Sequence, residues 1–145
     1  MVKVTVVAVG KIKEGYLRDA LAEYAKRLSR FCDFRIVELP ERAALCEEGA
    51  EILRCAKGYK IALAIEGKQR SSEEFAAIVK KLCDEGKEIT FVIGSSCGLD
   101  EGVKRASDEL LSFSRMTFPH QMMRVILAEQ IYRAFMINSG AAYHK

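Results

Sequence analysis

Apolar residues recur along this chain at two alternating spacings, one typical of buried strands and the other of amphipathic helices. Val2 to Val9 is a β-branched run, apolar on both sides and stopped by Gly10, which predicts a central strand covered on both faces. From Tyr16 the apolar positions fall at Leu17, Ala20, Leu21, Tyr24, Ala25 and Leu28, the spacing of a helix. Phe34 to Leu39 predicts a strand ended by Pro40, Glu47 to Lys57 a helix, and Lys60 to Ile65 another buried strand. Ser71 and Glu74 have capping-box spacing ahead of Phe75, Ile78, Val79 and Leu82, and Gly86 supplies the stop. Glu88 to Ile93 reads as a strand running into Gly94, and Asp100 as the cap of a short helix through Val103, Ala106 and Leu110. Ser114 to Phe118 reads as the last strand and Gln121 to Asn138 as the last helix.

Strands and helices in alternation predict an α/β fold, a mainly parallel sheet with helices on both faces. No linker, repeat or low-complexity tract interrupts it, so a single domain over residues 1–145 is expected. In such sheets the ligand lies beyond the carboxyl ends of the strands, which points to Gly10, Glu66–Lys68, Gly94–Gly98 and the segment after Leu111. The last helix is unusual: Val125, Ile126, Leu127, Ala128, Ile131, Tyr132, Ala134, Phe135, Met136 and Ile137 leave it almost no polar face. Such a helix needs walls on nearly all sides, and a homodimer partner would supply one.

Composition narrows the class. Half of the 145 residues are hydrophobic and 30% are charged, which excludes the disordered class. There is no charged-then-apolar leader, and no apolar run approaches the roughly 18 residues of a membrane span. A soluble cytoplasmic protein without a membrane partner is expected. The five cysteines (Cys32, Cys46, Cys55, Cys83 and Cys97) form no CxxC pair, and two histidines are too few to complete a structural zinc set. Buried free thiols and no metal are therefore expected. Charge is uneven: residues 1–35 carry a balance of +4, residues 36–112 of −4 and residues 113–145 of +3, so the two ends could build a modest basic surface.

Two kinds of motif bear on chemistry. Gly94-Ser-Ser-Cys-Gly98 matches the G-x-S-x-G nucleophile elbow, and Asp100 or Asp108, then His120 or His144, follow in hydrolase order. A serine hydrolase using Ser96 is thus one reading. Glycines that let a loop pass close to a ligand are the plainer one. Gly10 to Gly15 lacks dinucleotide-binding spacing, and no phosphate-loop GK[ST] occurs. Cys97 fits packing better than thiolate chemistry, since no histidine is near it in sequence. The other motif is the C-terminal block, where Arg124, Glu129 and Arg133 interrupt an apolar helix. Buried charge is costly unless paired or functional, and a Glu129–Arg133 pair at i,i+4 stands beside a functional role as its explanation.

Here the sequence resembles the RlmH, or YbeA-like, family of SPOUT methyltransferases. The likeness rests on Phe91-Val-Ile-Gly94, Gly98-Leu99, Leu111-Ser-Phe-Ser-Arg-Met-Thr-Phe-Pro-His120, Arg124-Val125, Leu127-Ala-Glu-Gln-Ile-Tyr-Arg-Ala-Phe135 and Tyr143-His144-Lys145. Val7-Ala-Val-Gly-Lys11 and Ala22-Glu-Tyr24 extend it over almost the whole chain. The resemblance implies a C-terminal trefoil knot that binds S-adenosylmethionine, and a homodimer with its site at the interface. It also implies methylation of N3 of a pseudouridine in 23S ribosomal RNA within the assembled ribosome. A ribosome-binding module without activity is the non-enzymatic alternative.

By family position, Leu63, Gly94 and Phe113, Ser114, Arg115, Met116, Thr117 and Phe118 bind the cofactor, and Arg133, Tyr143 and His144 serve catalysis. Lys11, Lys13 and Lys145 are candidates for phosphate contacts, and His120 is expected beside the pocket, as a ligand neighbour or a loop cap. Two departures from the family pattern stand out: Ser95 replaces a usual glycine, which would strain the loop if φ must be positive there, and the stretch from Pro40 to Lys60 is short.

Overall fold

A computed structural model describes residues 1–144; Lys145, a candidate phosphate contact, lies outside the described residues. Five strands and five helices alternate: β1 (Lys3–Val9), α1 (Gly15–Leu28), β2 (Asp33–Leu39), α2 (Leu45–Cys55), β3 (Tyr59–Gln69), α3 (Ser72–Asp84), β4 (Ile89–Ile93), α4 (Glu101–Ala106), β5 (Glu109–Ser112) and α5 (His120–Asn138). The strands form one sheet in the order β2-β1-β4-β3-β5, and every pairing is parallel. The expected α/β class with helices on both faces is what the chain adopts.

Layering follows from the side-chain pattern. All five residues of β4 are buried, as a parallel strand covered on both faces requires. One face of the sheet carries α1, α3 and α5 over Val4, Val6, Ile61, Ile89 and Phe91. The other carries α2 and α4 over Val7, Val9, Ala62 and Val92. The predicted capping box is present at Ser71 and Glu74.

α5 lies between α1 and α3, burying Leu127, Ala128, Ile131, Ala134 and Phe135. One chain thus supplies most of the walls this apolar helix needs, leaving Val125, Ile126, Tyr132 and Met136 half-buried. Arg124, in the second turn of α5, is 1% exposed. Its Nη1 pairs with Glu38 at 2.9 Å, and its Nη2 donates to the carbonyls of Val9 at 3.0 Å and Gly10 at 2.8 Å. The buried charge interrupting the helix is therefore a tie between α5 and the carboxyl end of β1.

The structure corrects three expectations. Ser114–Phe118 is a loop, and the last strand is Glu109–Ser112. Ser112 Oγ donates to the Ser114 carbonyl at 3.1 Å and Ser114 Oγ accepts from Met116 N–H at 3.0 Å, local bonds that replace a ladder. α4 ends at Ala106, and Leu110 belongs to β5, because Ser107 turns extended and Asp108 bonds Lys60 through both backbone and carboxylate. The thiols are free, but only Cys32 is fully buried, and Cys46 and Cys97 are exposed. Burial pushes the Cys32 thiol up to about 12, whereas Cys97 sits in a surface turn and does not pack.

Candidate active site at the carboxyl ends of β3, β4 and β5

Three irregular segments leave the sheet on the same side. β3 pairs with β5 as far as Leu63↔Leu111, breaks, and resumes at Lys68↔Leu111. Ala64 to Gly67 therefore bulge out of the ladder, and a Cβ at Gly67 would lie 2.6 Å from the backbone of Leu110, so the return to β5 needs glycine. After β4 the chain folds back in a bridge between Ser95 and Gly98. Gly94 is required there for close approach, since a Cβ on it would meet the Gly98 carbonyl oxygen at 2.4 Å. The third segment is the loop from Phe113 to Pro119.

Between them lies a cavity of 660 Å³, within the usual range for a small-molecule site. Leu63, Gly94, Phe113, Ser114, Met116, Thr117 and Phe118 all line it, as the sequence led us to expect, whereas Arg115 does not and is exposed. Glu66, within the Glu66–Lys68 segment expected at a strand end, also lines it, as do Ile65, Leu99, Lys104 and Met123, which had no site role from sequence. What the local pattern did not show is that β3 resumes after the bulge, because Glu66, Gly67, Lys68 and Gln69 are not a strand-like run.

Ser95 carries no strain, for among the described residues none other than glycine has a positive φ; within this turn that geometry falls on Gly98, at +92°. The serine side chain instead ties the loop down. Its Oγ donates to Glu48 Oε1 at 3.1 Å and accepts from Cys97 N–H at 3.2 Å. Glu48 Oε2 takes the Arg42 N–H at 2.9 Å. Glu48 is 5% exposed on α2, and it escaped the sequence reading although it shares a helical stripe with Leu45 and Ile52.

His120 stands on the cavity wall. Its Nε2 is buried without a partner, and burial, followed by the nearby Arg124 guanidinium, lowers its pKa against a small opposing effect of Glu41. The imidazole is therefore neutral at neutral pH. Beside it, Gln121 Oε1 accepts the Lys13 N–H at 2.9 Å, fastening the β1–α1 loop to α5 and leaving Lys11 and Lys13 exposed.

Arg133, Tyr143 and His144 gather in a second place, and none lines the cavity of its own chain. Glu129 is their hub. Arg133 Nε donates to it at 2.9 Å, and the Tyr143 and Tyr24 hydroxyls also donate. The Tyr143 pKa is raised, first by that bond to Glu129 and then by burial. The Arg133 guanidinium lies 4.8 Å from the Tyr143 ring centre, and its Nη1 is 3.0 Å from His144 Nδ1. Arginine can only donate, so Nδ1 accepts and the proton sits on Nε2, which bonds Glu73.

The hydrolase reading does not survive this geometry. Among the described residues Ser96 has no hydrogen bond to a histidine. Asp100 is occupied in capping Gly102 N–H at 3.1 Å, and Asp108 in binding Lys60 N–H at 2.8 Å. No helix among the described residues is long and apolar enough to cross a membrane.

Known proteins are similar to this chain in sequence and in fold. The family described as "Predicted SPOUT methyltransferase" matches residues 2–144. A Levilactobacillus brevis protein named ribosomal RNA large subunit methyltransferase H is 51% identical over 154 aligned positions, covering 96% of this chain and 97% of its own. A protein of the same name from Bifidobacterium adolescentis is 50% identical over 158 positions, covering 99% of each chain. Among solved structures, a methylase family protein from Neisseria gonorrhoeae shares the fold at a TM-score of 0.61 and 10% identity, over 99% of this chain and 87% of that one. The SpoU methyltransferase AviRb from Streptomyces viridochromogenes does so at 0.52 and 10%, over 96% and 61%. A cavity framed by the turn after β4 and the Phe113–Pro119 loop, on a chain matched from end to end at half identity, leaves one assignment: the protein belongs to the SPOUT methyltransferases, in the ribosomal RNA large subunit methyltransferase H family.

Proposed function

We propose that the protein transfers a methyl group from S-adenosylmethionine to N3 of a pseudouridine in 23S ribosomal RNA of the assembled ribosome. It does so in the cytoplasm as a homodimer, without a metal, on a single domain spanning residues 1–145. The observation that carries this reading is the cavity, lined by seven of the residues picked out beforehand. Its walls suit the cosubstrate: Leu63, Ile93, Leu99, Leu111 and Phe113 offer apolar surface to a flat base, and the loops bring main-chain donors and acceptors. A trefoil knot belongs to the proposal. It is supported by β5 lying outside β3 while α5 returns between α1 and α3, which makes the chain double back across the sheet edge.

The cosubstrate supplies an activated methyl on a sulfonium, so no enzyme nucleophile is needed. What remains is alignment, exclusion of water and removal of the N3 proton. Arg133 offsets the negative charge that develops on the base as that proton leaves. Tyr143 and His144 orient the base or relay the proton. Because these three stand off the cavity of their own chain, a two-fold partner whose cavity faces α5 would complete the site. Lys11 and Lys13, exposed on the loop after β1, are the candidates for phosphate contacts.

Calorimetry with S-adenosylmethionine, light scattering at micromolar protein and tritium transfer to ribosomes lacking the modification test this. Binding, a dimer and a labelled 23S RNA are expected. Ribosome binding with no methyl mark would replace the enzyme with a binding module.

A further inference from the structure

Glu66 and Lys104 are the only acidic and basic side chains among the described residues that line the cavity. They reach it from separate elements, Glu66 from the bulge in β3 and Lys104 from α4. Lys104 Nζ lies 3.1 Å from Glu66 and 3.3 Å from Glu101. The lysine side chain is 20% exposed, against 58% for Glu66 and 72% for Glu101, so the cation is sheltered while both carboxylates are open to solvent. An exposed ion pair contributes only about 0–1 kcal/mol to stability. Stability alone therefore does not account for breaking the β3 ladder to place a carboxylate on the wall of an otherwise uncharged cavity.

We infer that Glu66 and Lys104 read the amino-acid end of the cosubstrate, its carboxylate against Lys104 and its ammonium against Glu66. The inference rests on the proposal that the cavity holds S-adenosylmethionine. A zwitterion offers each member of the pair an opposite charge, so both can exchange their mutual contact for charge-assisted bonds to the ligand. Held between Glu66 and Glu101, Lys104 belongs to a cluster of net negative charge beside the cavity, which complements the net positive charge of a zwitterion that carries a sulfonium. The pair thereby sets specificity for adenosyl compounds that keep their amino acid.

The test is calorimetry of the full chain with S-adenosylhomocysteine and with 5′-methylthioadenosine, which lacks the amino-acid end. The wild type is expected to prefer the former by about tenfold or more, the scale of one or two charge-assisted bonds. Glu66→Gln and Lys104→Met should each shrink that preference at least about threefold, with methylthioadenosine affinity held within about twofold as the sign of an intact pocket. Lys104→Arg should keep most of it. A preference unchanged in both variants, or a parallel loss of both ligands, overturns the inference while leaving the methyltransferase proposal standing. If the wild type binds neither compound, that proposal fails and the inference falls with it.

Discussion

Arg124 offers the sharpest test of how α5 is held. Its side chain is 0% exposed, and it makes an ion pair with Glu38 and two bonds to the carbonyls of Val9 and Gly10. Arg124→Met keeps most of the apolar stem and removes all three. Hydrogen bonds from a charged donor contribute about 1.5–3 kcal/mol each, and breaking a fully buried ion pair costs about 3–5 kcal/mol. Glu38 is 37% exposed and regains water when abandoned, so its share is discounted. A loss of about 3–4 kcal/mol remains, equivalent to a fall of roughly 10 °C in melting temperature for a chain of this size. The chain has no tryptophan, so guanidinium unfolding followed by far-UV circular dichroism, at one fixed protomer concentration, is the suitable assay. Glu38→Gln, which keeps an acceptor but leaves the buried guanidinium without its counter-charge, should lose about 1.5–3 kcal/mol. A midpoint for Arg124→Met within about 1 kcal/mol of wild type would show that α5 is held by its apolar contacts alone.

His120 has a folded-state pKa below its ordinary value, so the unfolded chain takes up the proton first and stability declines as pH falls through about 6.5. Denaturant midpoints near pH 7.5 and 5.5 should therefore drop further for wild type than for His120→Asn, and equal drops would place the sensitivity elsewhere. Gly94→Ala forces a Cβ against the Gly98 carbonyl, and cofactor affinity measured by calorimetry should fall by about tenfold or more, near 1.4 kcal/mol. Ser96→Ala and Cys97→Ala should leave methyl transfer within about threefold of wild type, whereas a loss of roughly a thousandfold with folding intact would restore a nucleophile at Ser96. Deleting residues 143–145 should reduce cofactor binding less than about tenfold but methyl transfer at least about a hundredfold, roughly 2.7 kcal/mol in the barrier; paired calorimetry and tritium transfer would show whether both fall together.

Where local chemistry decides, the sequence was readable. The Ser71–Glu74 capping box starts α3 as expected, and β1 and β4 show the mostly apolar, β-branched runs of doubly covered strands. Leu110 shows the limit, since its apolar side chain suits a helix or a strand equally. The choice fell to Asp108, whose bonds to Lys60 come from 48 residues away. Strand order was out of reach for the same reason: nothing local places β4 between β1 and β3. The parallel-sheet rule located the cofactor loops at Gly94–Gly98 and after Leu111, whereas the single residues within them came from family pattern. Glu48 and Ser95 were opaque because a buried carboxylate is recognisable only once its partner is known to be near. The Glu129 hub was half-legible. The i,i+4 pair with Arg133 could be read along one helix, but Tyr24 meets it from 105 residues away.

The bond from Arg124 to Val9 closes a loop of 115 residues, and α5 is made after everything it packs on. A growing polypeptide that has completed β5 still lacks the cover over the trough between α1 and α3, where Phe91 and Ile89 would face water. Vectorial synthesis gives such a domain no early resting point: the apolar floor waits, unsealed, until the final helix emerges. During that interval the protein is at its most vulnerable to aggregation, and any nascent-chain chaperone has its clearest target in that trough.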